Sequence, residues 1–177
     1  MSDPLGEPTS TPARWRFAER ADATFLYDLA VAIDPFVWRF SRHGLVPFRA
    51  LDTVGEYAAI VVVEFDDGTP CGFGGLVDLT GDGRCGQLDL HASPFPAAIG
   101  AVRRCAPDIV AAAFSNAPLQ RLYVERFDSE PDLFADVAGL RLDVEIPEFA
   151  HVRGRLATRS TSSLSRPEYE RSLEATS

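Results

Sequence analysis

At 177 residues, 46% of them hydrophobic and 24% charged, the chain has the length of one globular domain and enough apolar material to bury a sizeable core. Its formal net charge of −9 argues against a general attraction to nucleic acid or to an anionic membrane surface. The basic residues are all arginine, so chemistry that runs through a lysine amine is excluded as well.

Residues 1–13 are polar and rich in Pro, Ser and Thr, and read as a disordered N-terminal tail. They lack the positive-then-apolar order of a signal peptide, and no apolar run approaches membrane-spanning length, so a cytoplasmic protein is expected. Arg14 to Glu19 reads as a strand with Trp15 and Phe17 on one face. Asp22 is an N-cap candidate for an amphipathic helix over Ala23 to Ala32, where Leu26, Leu29, Ala30 and Ile33 follow at helical spacing. Between Asp34 and Gly55 lies an irregular segment that concentrates Phe36, Trp38 and Phe40 with Arg39, Arg42 and His43. The aromatics there either cap the core while the arginines face water, or line a cleft.

Tyr57 to Phe65 is a β-branched run, and Asp66-Asp67-Gly68 is a hairpin turn signal. Pro70 to Leu79 forms the returning strand, Gly81-Asp82-Gly83 turns again, and Gln87 to Ala92 alternates until Pro94 stops the ladder. A helix is expected over Gly100 to Phe114, with a kink or a break into two helices at Pro107, which removes a donor and crowds the preceding turn. Arg121 to Phe127 reads as a strand. Glu130 to Ala138 reads as a short helix closed by Gly139. Strands over Leu140 to Phe149 and Val152 to Thr161, with Arg153-Gly154 near their turn, finish a domain spanning 14–163, and residues 164–177 read as a polar tail.

Cys71, Cys85 and Cys105 are odd in number, widely spaced and free of Cys-x-x-Cys or paired His, against a disulfide framework or a zinc site. His43, His91 and His151 show no ligand spacing, so no metal is expected. No Gly-x-Ser-x-Gly elbow, Walker loop or dinucleotide fingerprint is present.

The stretch from Leu88 to Val102 passes from strand to helix, and the first turn of a helix offers unpaired N–H groups and the positive end of a dipole. It resembles the core of the GNAT acetyltransferase superfamily, in which a strand ending in Val-x-Pro leads into Arg/Gln-x-x-Gly-x-Gly/Ala and a long helix. Ala92, Pro94 and Gly100 take the Val, Pro and central Gly places, while Ala97 stands where the family has Arg or Gln and Val102 where it has Gly or Ala. The order of elements matches the family as well, over about residues 14–163. The resemblance implies an α/β (α+β) fold, a mixed, mostly antiparallel central sheet flanked by helices. It further implies an N-acyltransferase that moves an acetyl or other acyl group from acyl-CoA to an amine of a small molecule or peptide.

In that family the fourth and fifth strands splay apart and the donor's pantetheine takes a strand's place between them. Carried onto this chain, Leu90 and Ala92 would pair with the pantetheine through their main chains, and Gly100, Ala101 and Val102 would point N–H groups at the pyrophosphate. The segment with Trp38, Arg39, Arg42 and His43 would line the acceptor side, its cations suiting an acceptor that bears a carboxylate. Acyl transfer to an amine needs a base for the ammonium proton. On the central strand Gln87, Asp89 and His91 share a face, and His91 lies nearest the splay with an imidazole suited to neutral pH. Glu125 on the following strand and Asp89 are the other candidates. The alternative function is a degenerate GNAT-like protein of a specialised biosynthetic pathway, acting on or binding a small molecule without acyl-CoA. A small-molecule partner is expected in either case, nucleic acid and membrane are not, and the oligomeric state stays open with a homodimer among the options.

Overall fold

The computed structural model describes residues 12–32, 57–152 and 154–175. Seven strands are hydrogen-bonded in the order β1-β2-β3-β4-β5-β7-β6. They are β1 (Ala13–Phe17), β2 (Tyr57–Phe65), β3 (Pro70–Asp78), β4 (Cys85–Ala92), β5 (Arg121–Phe127), β6 (Arg141–Val152) and β7 (Arg155–Ser165). The helices are α1 (Ala23–Ala32), α2 (Pro96–Asn116) and α3 (Arg166–Glu174), with a 3₁₀ turn at Arg20–Asp22. Neighbouring strands run antiparallel except β4 and β5, and α2 is the crossover that a parallel pair requires.

The main core lies between α2 and one sheet face, where Val63, Leu88, Leu122 and Leu164 meet Ala101, Val102, Ile109 and Phe114. A smaller cluster of Leu26 and Leu29 from α1 covers Phe73 on the opposite face. The α2 contact depends on Gly72. A Cβ built there would lie 2.2 Å from Val102 Cγ2 and 2.6 Å from the His91 carbonyl oxygen. Gly72→Ala is therefore expected to destabilise the fold by about 2–3 kcal/mol through overpacking. The double variant with Val102→Ala should recover only part of this, because the backbone oxygen cannot retreat as a side chain can. Denaturant unfolding of the single and double variants checks the coupling, and simple additivity would refute the contact.

On the α1 side, β1 is clamped by charge. Arg16 donates to both carboxylate oxygens of Asp22 at 2.8 Å and, through Nε, to Glu64 at 2.9 Å, and Arg14 Nε reaches the other Glu64 oxygen at 2.8 Å. Asp22 and Glu64 are buried. Asp22 also accepts the Glu19 N–H, so it belongs to the 3₁₀ turn and its partner Arg16 and does not act as the simple N-cap of α1 that its position suggested.

Four other expectations are corrected. The helix expected from Gly100 starts at Pro96, where the proline ring fixes φ for a first helical position and has no N–H to waste. It runs through Pro107 to Asn116 as one helix, so the break into two does not occur; the single lost hydrogen bond is outweighed by core contacts on both sides, Cys105 and Ala106 before, Ile109 and Val110 after. Residues 130–138 form consecutive turns and no helix. There Glu130 accepts the Phe127 N–H and Asp132 accepts the Phe134 N–H, local bonds that compete with helix formation, while Leu133 and Phe134 turn into the core. Residues 166–174, read as tail, form α3, which opens on a capping box between Ser165 and Glu168 and stacks Tyr169 on Phe114.

Candidate active site

The sheet opens between its two parallel strands. Pairing of β4 with β5 is confined to Cys85↔Arg121, Gly86↔Leu122 and Gln87↔Tyr123, although β4 continues to Ala92 and β5 to Phe127. Each strand stays fully paired on its outer side, β4 with β3 as far as Ala92 and β5 with β7 as far as Phe127. The divergence is therefore a split between two complete antiparallel pairs.

The direction of the free backbone groups follows from the register. Leu79 donates to the Cys85 carbonyl and Ser93 to the Cys71 carbonyl, so Cys85, Gln87, Asp89, His91 and Ser93 are the β4 positions that bond to β3. The alternate residues Leu90 and Ala92 turn their N–H and C=O groups across the opening. On the far side Asp128 donates to Thr158, which by the same alternation directs the backbone of Glu125 and Phe127 toward the opening. Leu90 and Ala92 thus turn a row of main-chain groups toward the opening, the arrangement that an extended amide-bearing ligand completes as an added strand, while on the far side Phe127 is already engaged, its N–H donating to Glu130 Oε2 and its C=O accepting from the Glu130 N–H.

The opening is a cleft of about 260 Å³ whose walls differ. Toward α2 it is apolar: Leu90, Ala92, Ile99, Leu133 and Phe134. Toward the opposite face it is polar, because Asp89, His91, Glu125 and Arg159 all point that way from β4, β5 and β7. The three residues singled out from sequence as candidate bases are thereby brought to one cleft. His91 is 9% exposed and stacks on Phe73, its register partner, at 4.9 Å and 27°. Asp89 accepts from Gln87 Nε2 at 2.7 Å. Glu125 is ion-paired with Arg159, whose guanidinium carbon also lies 4.8 Å from the centre of the Phe149 ring.

The helix end is rearranged relative to the sequence reading. Since α2 already starts at Pro96 and Ile99 donates to the Phe95 carbonyl, the N–H groups of Gly100, Ala101 and Val102 lie in the second turn and are satisfied by carbonyls one turn back. They are therefore not the open N–H groups of the helix end. Ala101 and Val102 are fully buried against the sheet. The N–H groups without an intrahelical acceptor are those of Ala97 and Ala98, and it is there that the positive end of the helix dipole lies. Val102, at the family's Gly or Ala position, fills the space above Gly72.

Trp38, Arg39, Arg42 and His43 lie outside the described residues. His151 is exposed on β6, away from the cleft lining. Cys71 and Cys105 are buried thiols, the first pushed up to about 11 by burial and then by Cys105, the second raised by burial and then by Asp108, so neither is an activated nucleophile. No group of His, Cys, Asp and Glu among the described residues has metal-holding geometry, and no described helix is long and apolar enough to cross a membrane. Arg159, Ser129, Leu133 and Phe134 line the cleft and were missed from sequence. A helix assigned to 130–138 hid the last two. Arg159 reaches the site only through the β5–β7 register.

Comparison with solved structures places this architecture. The spermidine N-acetyltransferase of Vibrio cholerae solved with CoA and spermine superposes with a TM-score of 0.68 at 16% identity, covering 89% of this chain and 98% of that one. Mutant forms of the same spermidine/spermine N-acetyltransferase give 0.71 at 16% identity, covering 91% and 98%. The yncA protein of Salmonella typhimurium with acetyl-CoA gives 0.64 at 17% identity, covering 86% and 93%. No protein-family model matches the chain, and no curated protein sequence matches it.

Proposed function

We propose that this chain, which has the fold of the GNAT N-acetyltransferases, is an N-acyltransferase that uses the β4–β5 cleft to bring acyl-CoA and an amine together. The observation that carries the reading is the split itself, with the backbone row of Leu90 and Ala92 turned into it from β4. An extended donor arm pairs with this row, its apolar stretches against Ile99 and Leu133, and sets its thioester beside the polar wall. Main-chain N–H groups at the split are the donors for the oxyanion of the tetrahedral intermediate. His91 accepts the proton of the attacking ammonium, Asp89 holds the ammonium before transfer, and the freed amine attacks the thioester carbon; the C–N bond forms, the C–S bond breaks, and the departing thiolate takes the proton that the new amide nitrogen sheds. Glu125 is the second candidate base; its engagement by Arg159 ranks it after His91.

The test is calorimetric titration of the full chain with acetyl-CoA, joined to a turnover assay over a panel of amines. Ala97→Arg is expected to tighten acetyl-CoA binding about tenfold, since it adds a charge-assisted donor beside the free N–H groups of the first turn. Gly100→Ala is expected to change binding little, because its Cβ would meet only the end of Arg104, at 3.3 Å. Loss of binding on Gly100→Ala with no response to Ala97→Arg would return the pyrophosphate to the second turn and contradict the placement given above.

One observation favours the second reading, a small-molecule protein that no longer takes acyl-CoA: the first turn offers a pyrophosphate two free N–H groups and no side-chain cation at Ala97. An absence of heat with acetyl-CoA and with longer acyl-CoA would select it.

A further inference from the structure

We propose that Arg159 selects acceptors that carry a carboxylate as well as the amine, so that the substrate class is an amino acid or a similar zwitterion. This rests on the acyl-transfer reading above and names the acceptor of that same cleft.

The argument starts from the donors of one side chain. A guanidinium has five N–H donors in a planar fork and stays charged. Among the described residues Arg159 makes one hydrogen bond, from one terminal nitrogen to Glu125 Oε1, and its Nε is enclosed with no acceptor. Its side chain is 27% exposed and lines the cleft. Leaving donors of a partly buried charge unmet is costly, and such groups are normally bonded. The position is also held. Arg159 lies directly opposite Phe127 in the β5–β7 register, Glu125 fixes one end of the fork and the Phe149 ring covers the guanidinium. Ser129 adds a second enclosed polar atom to the same wall, its Oγ without a partner among the described residues.

A planar anion answers this arrangement. A carboxylate accepts two parallel N–H bonds from an arginine fork, which gives direction as well as strength. Across the opening, Asp89 and His91 occupy the same sheet face from β4, where the ammonium is to be held and deprotonated. A molecule with an amine at one end and a carboxylate at the other meets complementary groups on both strands, whereas a simple amine leaves the Arg159 donors unanswered.

The experiment uses matched acceptors that differ only in the carboxylate, an amino acid and the amine that remains without it, assayed with acetyl-CoA on the full chain. In the wild type kcat/KM is expected to favour the carboxylate-bearing partner by about tenfold to a hundredfold. Arg159→Gln should bring that ratio close to one. Arg159→Lys, which keeps the charge and loses the fork, should restore only part of it, and if Arg159→Gln fails to fold the lysine variant decides. A wild-type ratio near one, or a ratio that survives in both variants, overturns the inference while leaving acyl transfer intact. The same pairs are titrated calorimetrically without acetyl-CoA: binding that needs both the carboxylate and Arg159, in a protein that turns over no acyl-CoA, upholds the inference and removes the acyl-transfer reading. A comparison of succinyl-CoA with acetyl-CoA on a neutral amine separates the remaining source of a carboxylate; Arg159 dependence that appears only there assigns the anion to the donor and overturns the inference.

Discussion

Arg16→Met should lower the free energy of unfolding by about 3 kcal/mol and leave the protein acid-labile. Removing one partner from a buried ionic group strands the others, and the effect is typically about 3–5 kcal/mol when both sides are enclosed. Here Asp22 and Glu64 are about 5% exposed while the Arg16 side chain is 33% exposed, so water screens part of the loss and the lower end applies. Arg14 stays on one Glu64 oxygen in the variant, but Asp22 keeps only the Glu19 N–H. The pH dependence of the wild type follows from the same cluster. The Asp22 carboxyl is held below its ordinary value of 3.8, first by the hydrogen bonds from Arg16, against the opposing effect of burial. For Glu64, with an ordinary value of 4.5, burial pushes upward, but the bonds from Arg14 and Arg16 outweigh it and the net shift is downward. Carboxyls with depressed folded values contribute stability that is complete above about pH 5, and the contribution is lost progressively as pH falls through 4.5 and 3.8 toward the folded values. Arg16→Met should flatten that dependence. Denaturant midpoints of both proteins between pH 7 and pH 3 give the result, and parallel curves would show that the cluster carries no linkage.

The second large effect is catalytic. His91→Ala is expected to lower kcat by about 10²–10⁴-fold, the usual contribution of a positioned base, while acetyl-CoA affinity changes little because the donor contacts proposed for the cleft are main-chain. The wild-type rate should fall on the acid side as the imidazole takes a proton and ceases to be a base. That limb should vanish in the variant. Since the ring stacks on Phe73, thermal unfolding of His91→Ala has to accompany the rate measurement. A stable variant with an unchanged rate and an unchanged pH profile moves the base to Glu125, and Glu125→Gln then takes the same test.

How much of this was legible beforehand differs by element. The strands β2, β3 and β4 read directly, because the β-branched run of β2 and the alternation of β4, bounded by Asp-Asp-Gly and Gly-Asp-Gly, carry both period and turn chemistry locally. The start of α2 did not, since Pro94 and Pro96 look alike as breakers, and only packing of Ala98 against the sheet tells that the second one opens the helix. The polar stretch 166–174 reads as tail because its anchors, Tyr169 stacked on Phe114 and Arg166 donating to the carbonyls of Phe114, Ala117 and Leu119, are contacts between residues far apart in sequence.

Local chemistry was enough to determine the alternation that puts Asp89 and His91 on one face of β4 and Leu90 and Ala92 on the other, and the absence of any lysine from the chemistry. Three matters were decided in three dimensions alone. Val102 is accommodated because Gly72, thirty positions earlier in the sequence and brought under the helix by the fold, leaves room for it. The helix-end N–H groups shift to Ala97 and Ala98 because the core fixes where the first turn begins. Arg159 reaches Glu125 because β7 lies beside β5 with Phe127 opposite Arg159. The first two are contacts of a helix with the sheet and the third a contact between strands, and side-chain period along one element says nothing about which element lies next to it or in what register.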